Sequence, residues 1–509
     1  MLKNYLDIIL FSLFLGTNLI LGLLAGRQVK NLRDYSIGNK RFSTSTITST
    51  IVATWISGVF LFYSLEHIYK YGLQFMIVTM GGTISLLLTG QVLAVRMGEF
   101  LNNLTVAEAM RDLYGRKVQI ITAISGILSA IGYIAIQFQI ISKMVTLLLG
   151  IQGPLVTIAT ATIVILYSAF GGIRSVTLTD VFQFLIFSIF LPILALIVWN
   201  NLKDPSRVVH ILTTNPNFRW SNAVGLNRQF MSSLGMMIYF SLPGLAPSVF
   251  QRVAMARDLK QVKDSFTYAA GIRLLMILAI AWVAILLLTD NPNIEPNNLV
   301  NYISNHYTYT GFRGLLVIGI VAMSMSTADS DLNACTVMVV NDIIKPLYPS
   351  FKKDLTFIRL FSLFLGVFAL FIALYITDLL ELILLSGSLY IPIVSIPLLL
   401  AIFGFRSSSR SVLIGMGSGL IAVIIWNRYF AHTGVNSVVP GMVANLVFLM
   451  GSHYMLREKG GWVGIKVPGP LIAARQRRRE VWTHYKKAFI LSNVRTYLFG
   501  LLPTNHFTY

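Results

Sequence analysis

The stretch Val321-Ala-Met-Ser-Met-Ser-Thr-Ala-Asp-Ser-Asp-Leu-Asn333 concentrates hydroxyls, carboxylates and an amide inside an apolar run from Leu315 to Val340. That run is long enough to cross a bilayer as a helix. Polar and ionised side chains in such a span are costly in lipid, so they face a bundle interior or a water-filled cavity. Ser326 and Ser330 stand four residues apart with Asn333 one turn further, giving one hydroxyl-rich face; Thr327 and Asp331 form a second stripe beside it. Hydroxyls and nearby backbone carbonyls are hard, neutral oxygens and suit an alkali cation, whereas a thiolate or imidazole site would want Cys or His. The same hydroxyls could instead bond their own helix or join two helices, and the stretch alone leaves both readings open.

The rest of the chain has to bury that face. Of 509 residues, 55% are hydrophobic and only 12% charged, about half the charged fraction of a soluble domain. The chain is therefore read as an all-α polytopic membrane protein. Its one cysteine, Cys335, lies in a span, so no internal disulfide and no cysteine-based metal site is expected. Neither a nucleophile motif nor a His/Cys/Asp cluster with ligand spacing is seen, so an enzyme is not expected. No cofactor is expected beyond a coupling ion.

Apolar runs at 5–25, 44–70, 73–96, 118–149, 154–173, 177–199, 229–250, 266–289, 313–340, 356–377, 379–404, 411–430 and 437–455 predict about thirteen transmembrane helices. The first is expected to be a retained span, because Arg27, Lys30, Arg33, Lys40 and Arg41 follow it, and a signal peptide carries its charge in front. The net charge of +20 clusters in alternate loops, as the preference of basic residues for the cytoplasmic side demands. This places the N-terminus outside and the C-terminus in the cytoplasm, with a bacterial inner (plasma) membrane as the expected location. Reporter fusions at residues 210 and 260 should then read outside and inside respectively; one compartment for both would sink the thirteen-helix arrangement. The expected organisation is 1–43, a leading helix with a basic cytoplasmic loop; 44–200, a first repeat; 201–228, an external loop; 229–404, a second repeat; 405–456, two trailing helices; and 457–509, a basic tail. That tail suits anionic lipid better than nucleic acid, which is not expected as a partner.

Two spans carry their own interruption. Val52-Ala-Thr-Trp-Ile-Ser-Gly58 puts small and polar residues mid-span, and Ser241-Leu-Pro-Gly-Leu-Ala-Pro247 puts two prolines and a glycine there. Proline removes an amide donor and clashes with the preceding turn. Freed backbone at membrane depth is tolerated only where it lines a cavity or binds something. Each break opens a five-helix block, which points to a transporter built on two inverted five-helix repeats with broken first helices. Two ordinary kinked helices are the competing reading.

At this point the residues resemble a known family. Gly171-Gly-Ile-Arg-Ser-Val-Thr-Leu-Thr-Asp180-Val-Phe-Gln183, the stretch Ala322–Ala334 followed by Val340-Asn-Asp-Ile-Ile-Lys345, Gln251-Arg252, and Leu104-Thr-Val-Ala-Glu108 with Tyr114-Gly115 are similar, in order, to segments of the sodium:solute symporter family. The resemblance implies the inverted-repeat fold of the bacterial leucine transporter. It also implies a sodium site formed by the hydroxyls of Ser326 and Thr327 and the carbonyls of Ala53, Ile56 and Met323. Asp180 matches a carboxylate on the inward ion path, although a turn or helix-capping role for it stays open. Tyr133, Tyr239 and Pro247 match substrate-cavity positions of the proline branch, with Gln137 one turn from Tyr133 and Ser57 beside the first break. The chain departs from that branch at Trp55, where such relatives carry Asp, so a carboxylate beside the substrate is missing there. Packing is the competing role for each aromatic. Asp329 and Asp331 are left unassigned by the implied site.

The reading that follows is sodium-coupled symport of a small organic solute, an amino acid or organic acid, by alternating access. A transporter-like sensor that signals through its tail to an unknown partner, or a proton-coupled symporter using Asp180, Asp329 or Asp331, are the alternatives.

Overall fold

A computed structural model describes residues 5–27, 29–151, 153–225, 228–348, 355–376, 379–433, 435–480 and 482–483. Most of the basic tail beyond 483, with its aromatics Tyr485, Phe489, Tyr497 and Phe499, lies outside the described residues. Ten described helices are long and apolar enough to span a bilayer, and the bent pair Thr44–Trp55 and Gly58–Tyr71 makes an eleventh. The helix Pro154–Asn200 has 47 residues, about 70 Å at 1.5 Å per residue, and bends at Gly172, so it counts as two spans. The split pair Arg228–Ser241 and Pro247–Met255 is the thirteenth.

In chain order the spans are α1 (Tyr5–Gly26), α2a and α2b (Thr44–Trp55 and Gly58–Tyr71), α3 (Leu73–Arg96), α4 (Arg116–Leu149), and α5 and α6 (154–171 and 173–200). They continue with α7a and α7b (Arg228–Ser241 and Pro247–Met255), α8 (Leu259–Asp290), α9 (Phe312–Met338), α10 (Leu355–Tyr375), α11 (379–403), α12 (Ser409–Tyr429) and α13 (Val438–Met455). The two five-helix blocks are thus α2–α6 and α7–α11, each opening on a broken helix. Separate spans were expected at 154–173 and 177–199. Instead helical structure runs through the junction, and only Gly172 leaves it, at φ 57° and ψ −159°. A side chain there would be strained and would meet the Tyr35 ring at 2.7 Å.

The two breaks form for different reasons. α2a ends where Ile56 leaves helical geometry (φ −105°, ψ 79°). Ser57 then caps α2b, its hydroxyl accepting the Phe60 amide at 3.1 Å, and the halves diverge by 56°. In the second break Pro243 and Pro247 forbid a continuous ladder, and Leu245 sits at φ 48°, a rare conformation for a branched residue. Its carbonyl accepts the Tyr390 hydroxyl at 2.9 Å, and that of Gly244 accepts Ser395 at 3.1 Å. α11 therefore satisfies the backbone that the prolines release.

α9 lies at the centre. Its most apolar window is 94% buried, against 22% for α1 and 33% for both α12 and α13, so the polar helix is surrounded and the peripheral ones present apolar side chains outward. Asp7 of α1 accepts the amides of Gly311 and Gly314 at 2.8 and 2.7 Å, a carboxylate at the positive end of α9. α2b approaches α9 closely because Gly58 has no Cβ; one built there would lie 2.0 Å from Ser324 Oγ. Near the other end of the bundle the tail folds back, Arg478 donating to the Gln91 carbonyl at 3.1 Å. Arg475, Arg477, Arg478 and Arg479 are exposed there.

Candidate functional site

The hydroxyl face of α9 meets both broken helices. Ser326 Oγ lies 3.0 Å from the carbonyl of Ala53 and 3.0 Å from that of Met323. Thr327 Oγ1 lies 3.3 Å from the Thr54 carbonyl and 3.2 Å from that of Met323. Ala53 and Thr54 belong to the last turn of α2a, whose carbonyls lose their helical partners when the chain breaks and carry the negative end of the helix dipole. Five neutral oxygens therefore converge at one end of a half-helix. A hydroxyl hydrogen rotates to suit its surroundings, so each oxygen that donates here can turn a lone pair toward a small hard cation. Ile56, expected among the ligands, is buried at the break, but neither hydroxyl bonds its carbonyl. The Thr54 carbonyl is the one within reach of Thr327, and Ile56 marks the residue at which the chain leaves the helix.

One turn further along α9, Ser330 accepts the Arg252 guanidinium at 2.5 Å. Arg252 also reaches Thr54 Oγ1 at 3.2 Å and Asp180 Oδ2 at 3.3 Å. Both members of this ion pair are buried. Thr50 donates to the same Asp180 oxygen. Asp180 thus lies within α6 as the centre of a polar knot linking α2a, α6, α7b and α9, not as a turn or helix cap. The next polar position, Asn333, accepts Gln251 at 2.8 Å. Asp329 faces elsewhere, accepting Tyr167 at 2.8 Å and Thr179 at 3.3 Å, which ties α9 to α5 and α6. Among the described residues no group of three His, Cys, Asp or Glu side chains could hold a transition metal.

Beside the oxygen cluster lies a cavity of about 310 Å³. Trp55, Ser57, Tyr133, Gln137 and Tyr239 all line it. Pro247 does not: its ring packs toward Gly126, and its neighbours Ala246 and Ser248 face the cavity instead. The reason is rotational, since consecutive helical residues point in different directions. The Ser57 oxygen accepts the Phe60 amide as a cap, which leaves its O–H free to donate. Asp331 also lines the cavity, so a carboxylate is present after all, contributed by α9 instead of α2a. The sequence places Asp331 on a polar stripe of α9 without fixing which neighbour it faces. Two buried polar atoms on the lining residues, Trp55 Nε1 and Gln137 Oε1, have no protein partner. A second cavity of about 520 Å³, lined by Glu66, His67 and Lys143 among others, shares Val59, Tyr63 and Ile383 with the first.

Residues 35–419 match the model of the family described as "Sodium:solute symporter family". The chain belongs to that family. Among its relatives is the high-affinity choline transporter 1 of Caenorhabditis elegans, 24% identical over 83% of this chain and 78% of that one. Another is the sodium/proline symporter 2 of Staphylococcus saprophyticus, 24% identical over 91% and 94%. A solved sodium-coupled sialic acid symporter, substrate-bound and outward-open, shares the fold with a TM-score of 0.77 at 18% identity, covering 91% of this chain and 99% of that one. The symporter is an integral membrane protein that couples solute movement to sodium by alternating access. Members of its family are transporters, not enzymes.

Proposed function

We propose that this symporter carries a small zwitterion, an amino acid first among candidates, with sodium held by Ser326, Thr327 and the carbonyls of Ala53, Thr54 and Met323. One observation carries the substrate reading. A cavity walled by aromatic rings is lined by Trp55 and Gln137, whose buried Nε1 and Oε1 have no protein partner, and by Asp331. A buried polar atom without a partner is costly, and a zwitterion offers an acceptor and a donor at once. Its carboxylate would take Trp55 Nε1 and the free amides at the start of α7b, at a positive dipole end. Its ammonium would take Gln137 and Asp331. The rings favour a modest apolar body. A sugar wants more amide and carboxylate partners than line this space.

Sodium at the oxygen cluster bridges α9 to the end of α2a and so favours the arrangement in which the second cavity leads to the first from outside. The Asp180–Arg252 knot closes the other side; release of sodium and rocking of the repeats would part it. Each sodium moving down the membrane potential contributes about 2.3 kcal/mol per 100 mV, enough for more than about tenfold accumulation. The exposed arginines at 475–479 suit anionic lipid headgroups.

Trp55→Ala tests the substrate assignment. It removes an aromatic wall and the donor, so the apparent Km of the best-transported amino acid should rise about tenfold or more. The sodium dependence should move by less than about threefold, since the hydroxyl pair is untouched. Sodium-driven uptake in vesicles reads both; unchanged competition by amino acids would remove Trp55 from the substrate wall.

A further inference from the structure

Between Asp264 and Asp290, α8 holds a single charged residue, Arg273. It is 4% exposed. Nη1 donates to the Thr79 carbonyl at 3.1 Å and to Thr83 Oγ1 at 3.0 Å, while Nε has no partner. Among the described residues no carboxylate forms an ion pair with it. An isolated guanidinium at membrane depth is expensive, yet the bundle makes room for it. A Cβ built on Gly82 of α3 would lie 2.5 Å from Nη2 and 2.6 Å from Cζ. The guanidinium stands 4.8 Å from the ring centre of Phe60 and 5.7 Å from that of Trp55. Both rings line the central cavity.

A ring therefore separates an uncompensated positive charge from the space where the substrate would sit. Rings attract a cation on their faces, which holds Trp55 and Phe60 in place, and a cation behind the indole polarises its N–H into a better donor. In a low-dielectric interior that charge is felt well beyond contact distance. We propose that Arg273 is the specificity element for the substrate's anionic end, biasing the cavity toward a carboxylate from behind the Trp55–Phe60 wall. This deepens the zwitterion reading, with Asp331 as the charge of opposite sign on the same cavity. It also predicts that an amine without a carboxylate is rejected, even though Asp331 would attract it.

The test is sodium-driven uptake in vesicles by the full chain, with leucine, its decarboxylated counterpart isoamylamine, its deaminated counterpart isocaproate, and glucose as probes. The wild type should favour leucine over isoamylamine, and Arg273→Gln should shrink that preference by about tenfold or more without changing apparent sodium affinity. Arg273→Lys, which keeps the charge, should restore most of it; a purely structural bond to Thr79 and Thr83 would not make the ratio follow charge. Wild-type uptake of isocaproate but not leucine would overturn the amino-acid reading and support the role of Arg273. An unchanged leucine-to-isoamylamine ratio in Arg273→Gln would overturn that role alone. Should Arg273→Gln not reach the membrane, wild-type preference for isoamylamine over isocaproate overturns the proposal and the reverse supports it. Uptake of glucose with none of the other three overturns both readings.

Discussion

Ser326→Ala and Thr327→Ala are each expected to raise the sodium concentration needed for half-maximal uptake by roughly tenfold to a hundredfold, the equivalent of about 1–3 kcal/mol for one lost polar ligand. Ser326 Oγ stands between the carbonyls of Ala53 and Met323, at 3.0 Å from each. Removing it leaves those two oxygens facing a methyl group. Thr327→Ser keeps the oxygen and should stay close to wild type, which separates loss of a ligand from loss of packing. At saturating sodium the substrate Km should be little changed in all three variants. Normal membrane expression with unchanged sodium dependence in both alanine variants would move the coupling ion elsewhere and reopen proton coupling through the buried carboxylates.

The second large effect concerns the buried ion pair. Asp180→Asn leaves the Arg252 guanidinium with hydroxyl partners and no carboxylate paired to it directly, and Arg252→Met leaves Asp180 without its cation. Breaking one side of such a pair costs about 3–5 kcal/mol, whereas replacing both sides with apolar groups is often neutral. Each single variant should therefore melt well below wild type in detergent, and Asp180→Leu combined with Arg252→Met should recover most of the loss. Transport should not recover in the double variant, because the knot also has to open and close in each cycle. Single variants as stable as wild type would show that the pair, 3.3 Å apart, contributes little and that the inner closure rests on packing alone.

Much of this architecture was legible in the sequence because the bilayer imposes a strict rule. Every span must satisfy its own backbone and hide its polar groups, so apolar run length located thirteen helices and the two interruptions located the breaks. The periodicity of α9 was legible for the same reason. Ser326, Ser330 and Asn333, spaced along one face, meet α2a and α7b in succession. Trp55 as an aromatic beside the first break was also readable.

What the chain could not disclose is how each broken helix ends and which neighbour receives a given side chain. Which carbonyls of 53–56 come within reach of the α9 hydroxyls depends on where helical geometry stops, at Ile56, just before Ser57 caps the next half-helix. Pro247 and Ser248 are adjacent in sequence, yet only Ser248 reaches the cavity, because one residue is a turn of about 100° around the axis. Asp329 and Asp331 look alike in sequence and part company for that reason, one bonded to Tyr167 and the other on the cavity wall. Arg273 had a signal, a lone charge in an apolar span. Its meaning came only from tertiary structure, since the rings it stands behind and the glycine that admits it lie on two other helices.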